Sequence, residues 1–415
     1  MDNTTQRIDA AAADRSDPLR GFREHFHLPE GVIYLDGNSL GALPKSVRQR
    51  VLNTIDKEWG VDLIRSWNTA DWVHLPQRVG ARIARIIGAE EGAVVAADST
   101  SINLFKVLSA ALDLNPGRNK IVSERENFPT DLYIAEGVAK QIGKDHRLVL
   151  SDSPEHIPGL LDEDVAVLML THVNYRTGYR HDMAALTRAA HDKGILVIWD
   201  LAHSAGAMPV DLSGAEADFA IGCGYKYLNG GPGAPAFLYV NPRHHGGFRQ
   251  PLSGWFGHRA PFDFDSAYTP SNKIEQYLCG TPPVLAMVAM DEAMAIWDDV
   301  DMAALRAKSI ALCDLFIQEI DSFAERLGLR LVTPREPELR GSQVSYSCKN
   351  GYAIMQALIA RGVIGDFRAP DIIRFGFTPL YLSFAEVEKA AAILKEILET
   401  RAWDAPEFHV RGAVT

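Results

Sequence analysis

Asp200 ends the apolar run Ile195-Leu196-Val197-Ile198-Trp199, and Lys226 stands between Tyr225 and Tyr227 just past a second run, Asp218 to Gly222. Gly194 precedes the first run, and the breaker series Asn229-Gly230-Gly231-Pro232-Gly233 follows the second. Each run is short and β-rich, so it reads as a buried strand with its chemistry-bearing residue at or beyond the carboxyl end. An acid and an amine so placed are what pyridoxal phosphate (PLP) requires: the amine forms the Schiff base, and the acid keeps the pyridine nitrogen protonated so that the ring accepts electrons. His203, three residues past Asp200, has the size and polarity to lie over such a ring. The plain alternative is a turn-capping aspartate and a solvated lysine.

The elements that must position these residues alternate. Ala93 to Ala97 reads as a strand, followed by the hydroxyl-rich turn Asp98-Ser99-Thr100-Ser101 and a helical run Leu104 to Leu112. Such a helix start offers unpaired N–H groups and a favourable dipole, so Thr100 and Ser101 suit a phosphate as well as a simple N-cap. Lys120-Ile121-Val122 leads to Phe128, able to lie against a flat ring, and to Asp131, able to meet a cofactor substituent, with Pro129 marking a helix start. Val165 to Leu170 is a continuous apolar strand ending at Thr171, and a helix over 182–193 leads to the strand before Asp200. This β-α-β order predicts an α/β large domain with a mainly parallel, doubly wound sheet whose carboxyl edge gathers the candidates. The pattern beyond residue 300 predicts a small α+β C-terminal domain. The expected division is 1–45 as an arm joining the small domain, 46–300 as the large domain and 301–415 as the small one, with residues 1–16 read as a loose arm.

Composition narrows the classes. With 42 Lys and Arg against 53 Asp and Glu, the 415-residue chain has a formal charge of −11, and its 47% hydrophobic content is ordinary for a globular protein. A nucleic-acid or anionic-membrane footprint is therefore not expected. Cys223, Cys279, Cys313 and Cys348 form no C-x-x-C pair, so neither a metal cluster nor a disulfide framework is expected. No apolar span approaches transmembrane length, and a cytoplasmic location is expected.

Several motifs compete. Gly37-Asn38-Ser39-Leu40-Gly41 matches the G-x-S-x-G elbow of serine esterases, but only one short strand precedes it, so Ser39 reads better as a turn residue. A helix is expected after Pro44 through Val47, Val51, Ile55 and Trp59. Trp67 in LIRSWNTADW, Trp255 in PLSGWFGH, and Gly280 and Thr281 in YLCGTPP lie in irregular, aromatic or glycine-rich segments suited to a flat ligand or a second subunit. Arg374, in the apolar strand DIIRFGF, suits a carboxylate through its planar fork, or else a structural ion pair.

Taken together, YLDGNSLG, LIRSWN, STSINLFKVLSAAL, NFPTDLYIAEG, THVNYRTGY, WDLAHSAGA, GCGYKYLNGGPG, PLSGWFGH, YLCGTPP and RFGFTPLY resemble, in order, the bacterial kynureninase family, PLP-dependent enzymes of fold type I in the class V aminotransferase branch. The resemblance spans roughly residues 20 to 410. It implies that Lys226 is the Schiff-base lysine, Asp200 the pyridinium partner and Phe128 the stacking ring. Thr100, Ser101 and Tyr225 would hold the phosphate, with Asp131, Thr171 and His203 completing the cofactor shell. Trp255 and Thr281 would reach the phosphate of a neighbouring subunit, which implies a homodimer with shared sites. Arg374 would bind the substrate α-carboxylate, with Asn38, Trp67, Gly280 and Thr281 as further substrate contacts. The implied reaction is hydrolysis of L-kynurenine to anthranilate and L-alanine, in tryptophan breakdown, with Lys226 as base and Tyr225 as an acid; 3-hydroxykynurenine would be a poorer substrate. Gly224 is expected to give the lysine loop extra backbone freedom. A cysteine desulfurase of the same branch is the nearest rival; it would need a reactive thiol, for which Cys348 is the candidate. A non-catalytic PLP-binding protein would have lost the lysine, arginine or acid, and none is missing.

Overall fold

The computed structural model describes residues 8–143, 145–247 and 250–412, and the chain divides into two compact units. One comprises Ser46–Tyr175 and His181–Asp298. The other comprises the chain up to Lys45, Arg176–Arg180 and the chain from Asp299 onward.

The first unit is built on seven strands: β1 Val94–Ala96, β2 Lys120–Glu124, β3 Arg147–Ser151, β4 Val165–Thr171, β5 Leu196–Asp200, β6 Phe219–Cys223 and β7 Ala236–Val240. Their order is β1-β7-β6-β5-β4-β2-β3. β3, β2, β4, β5 and β6 run parallel. β7 is antiparallel to both β6 and β1, so β1 shares the direction of the parallel set. The sheet is α/β and mainly parallel, as expected, and β1, β4, β6 and β7 are buried along their whole length, as a sheet covered on both faces requires. Helix Thr100–Leu114 packs Leu104, Val107, Leu108 and Ala111 in one core with Val167, Ile198, Ile221 and Leu238. Each such Leu, Val or Ile side chain contributes on the order of 1.5–3 kcal/mol on burial.

In the second unit, β8 Arg330–Leu331, β9 Gln343–Ser347, β10 Asp366–Arg368 and β11 Ile372–Gly376 form an antiparallel sheet in the order β8-β9-β11-β10. Helices Met302–Asp321, Gly351–Ala360 and Phe384–Thr400 belong to the same unit.

Two expectations are corrected. Residues 1–7 of the expected loose arm lie outside the described residues, but Ala10–Ser16 is a helix, capped by the Asp9 carboxylate accepting from Ala12 N, with Ala10 buried. The helix after Pro44 exists as Lys45–Asn53, yet only Val47 of its four apolar markers is buried, and Trp59 is 58% exposed. The chain continues as a wider π-helix, Thr54–Asp62, which turns Glu58 inward instead. Glu58 is held there by Arg50 at 2.7 Å and Trp72 Nε1 at 2.9 Å. The change of helical period rotates the apolar face outward.

Candidate active site

Asp200 is the last residue of β5, and its Oδ1 accepts from Ala202 N at 2.7 Å, which begins the turn carrying His203. Asp131 lies in the first turn of helix Pro129–Ile142, just beyond β2. The two carboxyls are buried and interact electrostatically. Burial pushes Asp131 far up, and the charge of Asp200 adds to it; burial also raises Asp200, but the Ala202 N–H and the Lys226 charge work against that rise. Among the described residues no donor reaches Asp131 Oδ2, a buried oxygen.

Lys226 follows β6, and its Nζ lies 2.9 Å from His203 Nε2 and 5.8 Å from the centre of the Tyr225 ring. Thr171, the last residue of β4, donates its hydroxyl to Asn127 Oδ1, which also accepts from Phe128 N at 2.7 Å. Asn127 thus fixes the Phe128 backbone, and the Phe128 ring, 40% exposed, meets Tyr175 edge-on at 5.3 Å. No role was assigned to Asn127 from the sequence; its place between Ser123 and Phe128 beyond a strand end was the available signal.

Thr100 and Ser101 open helix Thr100–Leu114 behind the N-cap Ser99, whose Oγ accepts from Ile102 N. They share the carboxyl edge with Asp131, Thr171, Asp200 and Lys226, because β1 runs with the parallel set. Trp67 makes edge-on contacts with Trp255 at 6.3 Å and Phe256 at 6.2 Å. Gly280 and Thr281 are exposed. The donor set suits PLP: a buried acid pair for the ring nitrogen, an amine beside an imidazole, a half-exposed ring and a hydroxyl-bearing helix start for the phosphate.

Asn38 and Arg374 belong to the other unit. Arg374 on β11 pairs with Asp366 on the neighbouring β10, and both side chains are almost wholly buried. Its Nε donates to Asp366 Oδ1 at 2.9 Å and its Nη2 to Asp366 Oδ2 and to Ser39 Oγ, the latter at 2.8 Å. Ser39 Oγ in turn donates to Asp366 Oδ2 at 2.7 Å. The Asn38 amide, oriented with its oxygen toward Arg374 Nε (3.0 Å) and its nitrogen toward Asp36 Oδ1 (3.2 Å), completes the cluster. Gly37 lets the turn close, since a Cβ there would stand 2.2 Å from Thr378 Oγ1. Ser39 is thus an ion-cluster residue in a turn closed by Ser39 N to Asp36 O at 2.9 Å, and no histidine is among its hydroxyl's partners here. Asp366 was not singled out from the sequence, because strand pairing brings it opposite Arg374.

All four thiols are pushed up by burial, Cys313 to about 11 and Cys348 to about 12, the reverse of what a nucleophilic cysteine needs.

The family profile of the kynureninase C-terminal domain matches residues 305–394. The chain is 55% identical over 413 residues to a kynureninase of Burkholderia pseudomallei, covering 99% of each chain. Among solved structures, a cysteine desulfurase of Thermococcus onnurineus matches with a TM-score of 0.77 at 20% identity, covering 92% of this chain and 98% of that one. A C-DES variant with glycine covalently linked to its PLP cofactor matches with a TM-score of 0.76 at 16% identity, covering 90% and 98%. These two likenesses establish the fold, that of fold type I. By its full-length identity to a kynureninase, this chain belongs to the kynureninase family.

Proposed function

We propose that this chain is a PLP-dependent kynureninase that cleaves L-kynurenine between Cβ and Cγ, releasing anthranilate and L-alanine. The observation that carries it is the Lys226 amine held 2.9 Å from His203 beyond β6, beside the buried Asp131–Asp200 pair, in a chain of the kynureninase family. When bound, PLP supplies an aldehyde for the substrate amine and a ring that takes up electrons from Cα. Lys226 holds the cofactor and, once displaced by substrate, removes the Cα proton. Asp200 keeps the pyridine nitrogen protonated, and Asp131 contacts a cofactor substituent. Tyr225 donates a proton to the β-carbon as anthranilate leaves, after water has added to the γ-carbonyl.

Thr100, Ser101 and Tyr225 hold the phosphate, Phe128 covers the ring, and Thr171 and His203 complete the shell. Arg374 receives the α-carboxylate, with Asn38 beside it, and Trp67, Gly280 and Thr281 contact the aryl group. The proposed assembly is a homodimer in which Trp255 and Thr281 reach the neighbouring phosphate. The exposed apolar run of Trp59, Val61, Leu63 and Ile64 supports such an interface. No helix among the described residues is long and apolar enough to cross a membrane, and the proposed location is the cytoplasm, in tryptophan breakdown.

The test is an absorbance scan of the purified protein before and after L-kynurenine, with anthranilate fluorescence followed in the same cuvette. A visible cofactor band with anthranilate release is expected. A band without anthranilate would overturn the substrate, and no band after added PLP would overturn the roles of Lys226 and Asp200. The apolar Trp67 and short Thr281 favour unsubstituted kynurenine; equal kcat/KM on 3-hydroxykynurenine would remove that preference.

A further inference from the structure

Lys106 lies on helix Thr100–Leu114 with its side chain wholly buried. A buried ammonium is tolerated only where a counter-charge is close and its hydrogens find acceptors. Lys106 meets both conditions: Nζ donates at 2.5 Å to Asp98 Oδ2 and at 2.5 Å to the Tyr277 carbonyl. The Lys106 charge also offsets part of the upward push that burial gives the Cys279 thiol.

These partners lie on segments that all lead to proposed phosphate contacts. Asp98 adopts a left-handed conformation, φ 46°, directly before Ser99, Thr100 and Ser101, and its carbonyl accepts from Ala236 N at 2.9 Å. Tyr277 and Cys279 run straight into Gly280 and Thr281. Cys279 in turn donates from Sγ to the Leu252 carbonyl at 2.8 Å, and its own carbonyl accepts from Phe256 N at 3.1 Å. Gly254 permits this approach, since a Cβ there would stand 2.2 Å from the Cys279 carbonyl oxygen. The stretch carrying Trp255 is therefore fastened to the stretch carrying Thr281, and Lys106 fastens both to the turn carrying Thr100 and Ser101.

We propose that Lys106 is a positioning residue for cofactor phosphate: one buried ammonium sets the spacing between the helix start that holds a subunit's own phosphate and the segments that reach its neighbour's. The proposal rests on the phosphate roles given above. Its consequence is that the two cofactor sites of a dimer share a mechanical support. Lys106 touches no cofactor atom in this scheme, so its loss acts first on affinity.

The test is a titration of apoprotein with PLP, followed by absorbance and tryptophan quenching, for the wild type, Lys106→Met and Asp98→Asn. Lys106→Met is expected to weaken PLP binding by about tenfold or more, the scale on which supports behind a bound group act. Asp98→Asn is expected to move affinity the same way by a smaller factor, and it decides the matter if Lys106→Met does not fold. Wild-type PLP binding with both variants within about twofold of it would overturn the positioning role and leave the cofactor reading standing. Failure of the wild-type apoprotein to bind PLP would overturn both.

Discussion

Asp131 and Asp200 present two buried carboxyls to one another, and after burial itself the charge of Asp200 is what pushes Asp131 well above the usual carboxylate range. Two carboxylates so close cannot both ionise, and the pair titrates as a unit. Burial and the charge of Asp200 raise Asp131, whereas the Ala202 N–H and the Lys226 charge work against the rise of Asp200, so the two acids differ in what can replace them.

An amide has the shape and donor of a protonated carboxyl but not the charge of a carboxylate. Asp131→Asn is therefore expected to keep kcat within about tenfold, whereas Asp200→Asn should lose on the order of 10²–10³, the scale of removing a preorganised electrostatic partner. Anthranilate fluorescence under saturating L-kynurenine measures both. Equal losses would mean that the two acids do not differ in this way.

Asp36 supplies a pH dependence. Burial, and then the charge of Asp366, push its carboxyl up to about 7 from 3.8. A folded-state pKa above the unfolded one means that the folded chain binds more protons, so this contribution is fully present below about 4 and is lost as pH rises through about 7. Asp366 works in the opposite sense: burial raises it, yet Arg374, Arg368 and Ser39 together outweigh burial and hold it low, so its contribution is lost only in acid. Melting temperatures of wild type and Asp36→Asn between pH 5.5 and 8 should diverge as pH rises, with the variant gaining relative to wild type. Parallel curves would contradict the shift.

The residues legible in the sequence were those whose role follows from position along one strand. Asp200, Thr171 and Lys226 each end or follow an apolar run, and parallel pairing then brings such ends to one edge without further information. Asp366 was not legible, because it meets Arg374 only through the β10–β11 register, and register depends on a partner strand the local pattern does not name. Lys106 was hidden for a similar reason: its acceptors, on Asp98 and Tyr277, are brought together only by tertiary packing. The face of Ile55 and Trp59 misled because helical periodicity assumes an α-helix, and a π turn breaks that period.

Cys348 separates this chain's chemistry from that of the desulfurases it resembles in fold. The residue is buried just past β9, and burial pushes its thiol up to about 12. Cys348→Ala is expected to keep kcat/KM for L-kynurenine within about twofold, since a buried thiol of that pKa offers almost no thiolate at neutral pH. Loss of turnover with the fold intact would restore the thiol as a participant.

Gly224 is the place where freedom and packing make opposite predictions. Its lack of a side chain predicts backbone latitude, but a Cβ there would stand 2.5 Å from the Pro235 carbonyl oxygen and 2.6 Å from Met290 Sδ. The Met290 side chain can swing aside; the Pro235 carbonyl belongs to the backbone leading into β7 and cannot move without disturbing the sheet. The Gly224 carbonyl also accepts from Gly230 N at 2.9 Å, which closes the loop carrying Lys226. Gly224→Ala should therefore cost about 1–3 kcal/mol in urea unfolding, as overpacking does, and should lower kcat by shifting the neighbouring Tyr225-Lys226 pair. A variant as stable as wild type, or more so, would mean that the glycine serves loop freedom after all, because removing unfolded-state entropy without a clash stabilises a chain.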